Sequence, residues 1–278
     1  MTSSFPRTKR STASDARILL HELNIKSPPI KPREIVKQLG ILLQEVNAAD
    51  RYDGWIIQHD GTAAISLNKD IPSEERKNFT IAHELGHFQI STHTRQPHCL
   101  RKDIGAFSIV NEEAEANEFA AELLMPEDLV RPIAEEGEIG LDKIQEIADT
   151  FETSLTSSAF RYITYTPYLV ALVICERKQV KYFRLSPELF KKRCAFLERG
   201  STLDKNCLAI DAFDVDGNVF KSENDRDSVL PSVWFLEMDD TKVNCFEETR
   251  GLPGINQTIS LVWLEEKEDF SLDEDGDE

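Results

Sequence analysis

The segment His83-Glu84-Leu85-Gly86-His87 sets two imidazoles four positions apart with a carboxylate between them. On an α-helix, residues i and i+4 share one face with Cβ atoms about 5–6 Å apart. Two histidines so placed can converge on one ion at Zn–N distances of about 2.0–2.1 Å. Glu84 is rotated by about 100° from His83, so it misses the ion yet reaches a water beside it. This is the arrangement a metal-assisted hydrolase needs: the metal lowers the pKa of a water and polarises a carbonyl. The glutamate takes the water proton as general base and passes it to the leaving amine.

Zinc held by two histidines requires a third protein ligand and one open position. The run from Asn111 to Leu124 supplies candidates, because it reads as a helix with five glutamates. At about 100° per residue, Glu115, Glu118 and Glu122 fall on one stripe, read as the solvated face. Glu113 falls with Ala116, Asn117, Ala120 and Leu124 on the other side. A carboxylate on a buried face needs a partner, and a cation is one. Glu113 is therefore the preferred third ligand, with Glu112 and Glu115 as alternatives. Asn117, one turn later, is placed to hydrogen-bond a ligand from behind. No residue that would stabilise an oxyanion is identified: His93, His98 and Tyr52 are the candidates considered, and each reads better as a loop or surface residue.

The elements that must position these groups are legible from pattern. Pro72-Ser73 opens a helix running to about Ile90, with Ser73 as cap and Glu74 and Glu75 at its positive end. Before it lie helices over 14–23 and 32–40, an apolar strand over 41–46, and a hairpin of strands 54–57 and 63–68 around Asp60-Gly61. The strand 63–68 is a candidate edge for an extended substrate. Residues 91–110 read as a loop. The segment 141–162 has helix-turn-helix spacing, with Ile144, Ile147, Ala148, Phe151 and Leu155 as its core. Its second helix carries only Arg161 as a basic residue, whereas a DNA reader carries several. From Tyr168 onward the pattern turns to strands over 169–175, 180–184, 208–213, 233–238 and 258–264. A helix over 187–197 interrupts them, and the whole reads as a small α+β module. Trp234 and Trp263 are expected in its core. Asp211, Asp214 and Asp216 near Gly217 read as a solvated turn, since their spacing departs from a calcium loop.

Composition narrows the function class. The chain has 278 residues and a net charge of −18, with nine acids and one lysine in residues 265–278 alone. Phosphate neutralisation needs Lys and Arg, so this balance argues against direct DNA binding. The longest apolar run, Tyr168 to Cys175, has eight residues, far short of the ~20 of a membrane span. Five scattered cysteines without a CxxC read as reduced thiols of a cytoplasmic protein.

Two stretches carry a family resemblance. Phe79-Thr80-Ile81-Ala82-His83-Glu84-Leu85-Gly86-His87-Phe88, with the run from Glu113 to Pro126, resembles the ImmA/IrrE metallopeptidases. The resemblance implies an α+β fold. A zincin-like core over 13–135 follows a flexible leader over 1–12. A helix-turn-helix-like extension over 136–166 leads to a GAF-like sensor domain over 167–264 and an acidic tail over 265–278. It implies that His83, His87 and Glu113 hold one Zn2+ per chain, with Mn2+ as the alternative, and that Glu84 is catalytic. It further implies a helix-turn-helix (XRE-type) repressor as protein substrate, cleaved to release stress-response or mobile-element genes. The alternative reading is a catalytically weak module that titrates such a repressor in response to a ligand or partner.

Overall fold

The computed structural model describes residues 11–48, 52–90, 111–236, 238 and 241–266. The chain divides into two compact units: Met1–Leu129 with Ala148–Ser154, and Val130–Ile147 with Leu155–Glu278.

Unit 1 is built from α1 (Thr12–Glu22), α2 (Pro32–Gln38), β1 (Leu42–Val46), β2 (Gly54–His59), β3 (Thr62–Asn68), α3 (Glu74–Gln89) and α4 (Asn111–Leu124). Pro32 starts α2, and Gly40, at φ +69°, follows its end in the left-handed conformation that terminates helices. The β2–β3 hairpin turns at Asp60 and Gly61, both at positive φ, as a two-residue turn of the primed type requires. The sheet runs β1-β3-β2, with β1 parallel and β2 antiparallel to β3. β3 is thus the central strand with a partner on each side, so the expectation that it offers an edge is corrected: the outer strands are β1 and β2. Ile35, Ile65, Leu67, Ile81, Leu85, Phe119 and Leu123 fill the core between sheet and helices.

One helix of this unit departs from its expected face. Glu122 was placed on a solvated stripe but is 1% exposed. It accepts the backbone N–H of Glu127 at 3.1 Å and pairs with Arg17 Nε of α1 at 3.4 Å. A carboxylate that finds a cation and an unpaired helix-start N–H can be buried. The chain then continues through α5 (Glu127–Glu135), which sequence pattern did not anticipate, α6 (Leu141–Phe151) and α7 (Leu155–Tyr165).

Unit 2 holds a five-stranded antiparallel sheet of β4 (Val170–Glu176), β5 (Gln179–Leu185), β6 (Asn224–Val229), β7 (Val243–Leu252) and β8 (Gln257–Glu266), in the order β5-β4-β8-β7-β6. The short α8 (Pro187–Lys191) begins at Ser186, whose side chain accepts the Leu189 N–H. Trp234 and Trp263 are buried as expected. α7 packs on β4 and β5. Phe160 meets Tyr182 edge-on at 5.2 Å, and the Arg161 guanidinium lies over the Tyr165 ring at 4.8 Å. The one basic residue of the second helix is therefore stacked within this unit.

Three strand or helix expectations in unit 2 are corrected. Residues 208–213 form a 3-10 turn, Leu208–Ala212, because the buried Glu247 carboxylate on β7 accepts the N–H groups of Leu208 and Ala209 at 3.0 and 2.9 Å. In place of the strand expected over 233–238, the described residues there show a 3-10 turn at Pro231–Val233 and an isolated bridge from Phe235 to Phe196, with the Trp234 indole turned inward onto Glu247 at 2.9 Å. The helix expected over 187–197 stops at Lys191, after which Arg193 takes φ +54°. β6 and β7 were not anticipated: β6 is a charged edge strand (Asn-Asp-Arg-Asp-Ser-Val), and such charge is how an exposed edge avoids further pairing. The residue Asp214 does form a solvated turn, accepting the N–H groups of Asp216 and Asn218.

Candidate metal centre

α3 is the element that carries His83, Glu84 and His87. Ser73 Oγ caps it by accepting the Arg76 N–H at 3.3 Å. Thr80, Ile81, Ala82, His83, Glu84, Leu85 and Gly86 are all buried, so this stretch of the helix is enclosed on every side. α4 crosses it at Gly86. A Cβ there would stand 3.1 Å from Ala116 Cα and 3.3 Å from Phe119 Cβ, so any other residue would push α4 back by a few tenths of an ångström. Glu113 lies one turn before Ala116, and the close crossing brings it to the histidine pair.

The donor atoms of the three residues cluster together. His83 Nε2 lies 3.2 Å from Glu113 Oε2, His87 Nε2 lies 3.4 Å from Glu113 Oε1, and the two Nε2 atoms are 3.2 Å apart. The two histidines contact different oxygens of the one carboxylate, and one ligand atom from each of the three residues lies within 4.8 Å of the others, close enough to share an ion held at ~2.0–2.2 Å after small side-chain adjustment. His83, His87 and Glu113 are the metal-capable group among the described residues, and Glu112 and Glu115 are not part of it. Two imidazoles and a carboxylate are also the donor chemistry that suits zinc. His83 is buried, and its Nδ1 faces Asn117 Oδ1 at 3.0 Å. That contact leaves Nε2 as the atom directed at the other donors.

Electrostatics support the same grouping. Burial works to lower the His87 pKa, but the hydrogen bond to Glu113 and the charges of Glu84, Glu113 and Glu112 outweigh it and raise it. For Glu113, burial pushes upward, while hydrogen bonds from His83 and His87 and their positive charge hold the carboxyl far below its usual range. Glu84 is 1% exposed on the same helix.

Each candidate can now be placed. His83, His87 and Glu113 come together, Asn117 stands behind His83, and Glu84 is buried beside them. His93 and His98 lie outside the described residues, as does the loop that carries them. Tyr52 uses its backbone carbonyl to accept Asn68 Nδ2 at 2.9 Å. Sequence reading missed Gly54, which lies beside Glu84, and the Asp53–Arg76 pair next to it. The available signal was the spacing of Arg76, Thr80 and Glu84, which puts three polar side chains in successive turns of a largely apolar face.

Comparisons with known proteins agree with this geometry. Residues 36–162 match the family model of the IrrE N-terminal-like domain, Peptidase_M78, so the chain carries such a domain. A 99-residue stretch is 31% identical to "Uncharacterized immunity region protein 2" of Bacillus phage phi105; it covers 36% of this chain and 61% of that relative. The solved structure of a "Mycobacterium tuberculosis transcriptional regulator" shares the fold at a TM-score of 0.59 and 13% identity, over 92% of this chain and 76% of that one. Among the described residues, no helix is long and apolar enough to cross a membrane. Four of the cysteines are free thiols; Cys175, Cys207 and Cys245 are buried, and burial pushes the Cys207 thiol up to about 12.

Proposed function

We propose that the IrrE N-terminal-like domain is a zinc-dependent endopeptidase, with manganese as the alternative ion. In this reading His83, His87 and Glu113 hold the metal and Glu84 is the catalytic base. The carrying observation is that His83 and His87, on the helix that also buries Glu84, meet the Glu113 carboxylate of α4 and each other at 3.2–3.4 Å. When bound, the ion would polarise a peptide carbonyl and acidify a water. The protein's own groups do the rest. Asn117 fixes the His83 ring. Gly86 lets α4 bring Glu113 within reach. The Glu84 carboxylate takes a proton from the attacking water and returns it to the amine nitrogen as the C–N bond breaks.

The substrate in this proposal is a helix-turn-helix repressor of XRE type, cleaved in the cytoplasm to release stress-response or mobile-element genes. Support comes from the phage immunity-region relative and from the transcriptional-regulator neighbour. The packing of α7 against its own sheet favours reading α6–α7 as scaffold or docking surface over DNA reader. The five-stranded antiparallel sheet supports a GAF-like sensor role for residues 167–264.

The test is incubation of zinc-loaded protein with a helix-turn-helix repressor of XRE type from the same genome, against the Glu84→Gln variant. Cleavage lost in the variant with zinc binding retained supports the proposal. Cleavage that survives removes Glu84 as base. Derepression in cells that survives Glu84→Gln, without any cleavage, favours the titrating module.

A further inference from the structure

The Glu84 carboxylate lies against the start of β2. Arg76, Thr80 and Glu84 occupy successive turns of α3, and all three face the start of β2. Asp53, immediately before β2, is 1% exposed, and its Oδ2 receives Arg76 Nε at 2.7 Å and Nη2 at 2.6 Å. Its backbone carbonyl accepts the Asn68 N–H at 2.7 Å, and the Asn68 side chain grips the Tyr52 carbonyl at 2.9 Å. The next residue is Gly54. A Cβ on it would sit 2.6 Å from Thr80 Cγ2 and 3.5 Å from Glu84 Oε1. The strand backbone therefore forms the wall against which the Glu84 carboxylate rests, and the Asp53–Arg76 pair fastens that wall to the helix.

A buried ion pair is weak evidence for stability, because apolar residues of like volume serve as well. What the two-pronged grip supplies is geometry: a planar guanidinium holds one carboxylate oxygen from two directions, which an ammonium does not reproduce. A base that must meet a water at hydrogen-bond distance depends on such fixing.

We propose that Asp53 and Arg76 are positioning residues that set the Glu84 carboxylate through Gly54 and Thr80. The proposal rests on the reading of Glu84 as the base. It assigns this pair no part in metal capture.

The test uses the full chain loaded with Co2+ and titrated with acetohydroxamate, followed by the visible d–d absorption of the ion. This probe chelates the metal and shares its proton with an adjacent carboxylate, so its affinity reports where that carboxylate stands. Arg76→Lys keeps Asp53 paired with a cation and so preserves folding, while losing the two-point grip. Gly54→Ala leaves the ion pair intact, drives a methyl into Thr80 Cγ2 at 2.6 Å, and so shifts the surroundings of Glu84, whose Oε1 it meets at 3.5 Å. Each variant is expected to weaken hydroxamate binding about tenfold, in the range of losses seen when supporting groups around a metal site are removed. Co2+ affinity is expected to stay within about threefold of wild type, since no ligand is altered. A merely structural pair would shift the melting temperature and leave the hydroxamate affinity of the loaded protein unchanged.

Wild-type hydroxamate affinity in both variants, with loss in Glu84→Gln, overturns the positioning role and leaves the site reading standing. Wild-type affinity in Glu84→Gln itself overturns the reading of Glu84, and the positioning role falls with it.

Discussion

Replacing Asn117 with alanine tests the candidate centre without touching a ligand. His83 is fully buried, and its Nδ1 has Asn117 Oδ1 at 3.0 Å. Alanine removes that acceptor and leaves a buried ring N–H without it, at a cost of about 1–3 kcal/mol. The ring has one escape, moving its proton to Nε2. That is the atom 3.2 Å from both Glu113 Oε2 and His87 Nε2, so a cation must displace the proton before it binds. Either route weakens zinc binding by about 10–100-fold, or about 1.4–2.7 kcal/mol. The assay is competition for zinc against a chromophoric chelator at fixed pH. Asn117→Asp is the control: it keeps an acceptor at the same place and is expected to bind zinc as tightly as wild type or tighter. Asn117→Ala with wild-type zinc affinity would refute the claim that the ring is aimed from behind.

Other expectations follow from the same structure. Gly86→Ala places a methyl 3.1 Å from the α4 backbone, so it is expected to cost about 1–3 kcal/mol in denaturant melts and to weaken zinc binding by withdrawing Glu113. Glu84→Gln is expected to keep zinc affinity in the same chelator assay while abolishing cleavage. In unit 2, burial raises the Glu247 pKa above its usual value despite the hydrogen bonds it accepts. A carboxyl raised in the folded state favours folding fully below its unfolded pKa of about 4.3, and that contribution is lost as pH rises through the folded value. Glu247→Gln lacks this titration, so its stability deficit relative to wild type is expected to be largest near pH 4 and to narrow toward pH 7. Tryptophan fluorescence in urea reads it, since Trp234 and Trp263 both lie in unit 2; a deficit independent of pH would refute the assignment.

The candidate site was legible because helical periodicity is a local rule. His83 and His87 share a face by spacing alone, and the phase of Glu113 against its neighbours on α4 singled it out among five glutamates. Asn117 followed by the same count. The failures share a cause as well: each depends on a long-range partner. Glu122 was read as solvated because Arg17 is 105 positions away in the chain. Residues 208–213 were read as a strand because nothing local reveals that Glu247 will seize two of their N–H groups. β7 hid because Glu247 and Glu248 interrupt its apolar alternation. Glu247 accepts from two backbone N–H groups, Trp234 and Thr249, and Glu248 accepts the Leu141 N–H at the start of α6. These buried carboxylates organise turns and helix ends from a distance.

In the proposed reading, metal capture and base placement therefore rest on different neighbours of one helix. The α4 side supplies Glu113 and Asn117, and both depend on how near Ala116 comes to Gly86, because all three belong to the same two turns. The β2 side supplies Gly54 and, through Asp53 and Arg76, the wall beside Glu84. Changes on the α4 side should move metal affinity first, whereas changes on the β2 side should move the chemistry of the loaded site with the metal still held. A chain that had kept only the two histidines and the glutamate of the motif, without the glycine at 86 and the glycine at 54, would retain the sequence pattern and lose both geometries. The information that makes this motif a candidate site is thus carried as much by two absent side chains as by the groups that would do the chemistry.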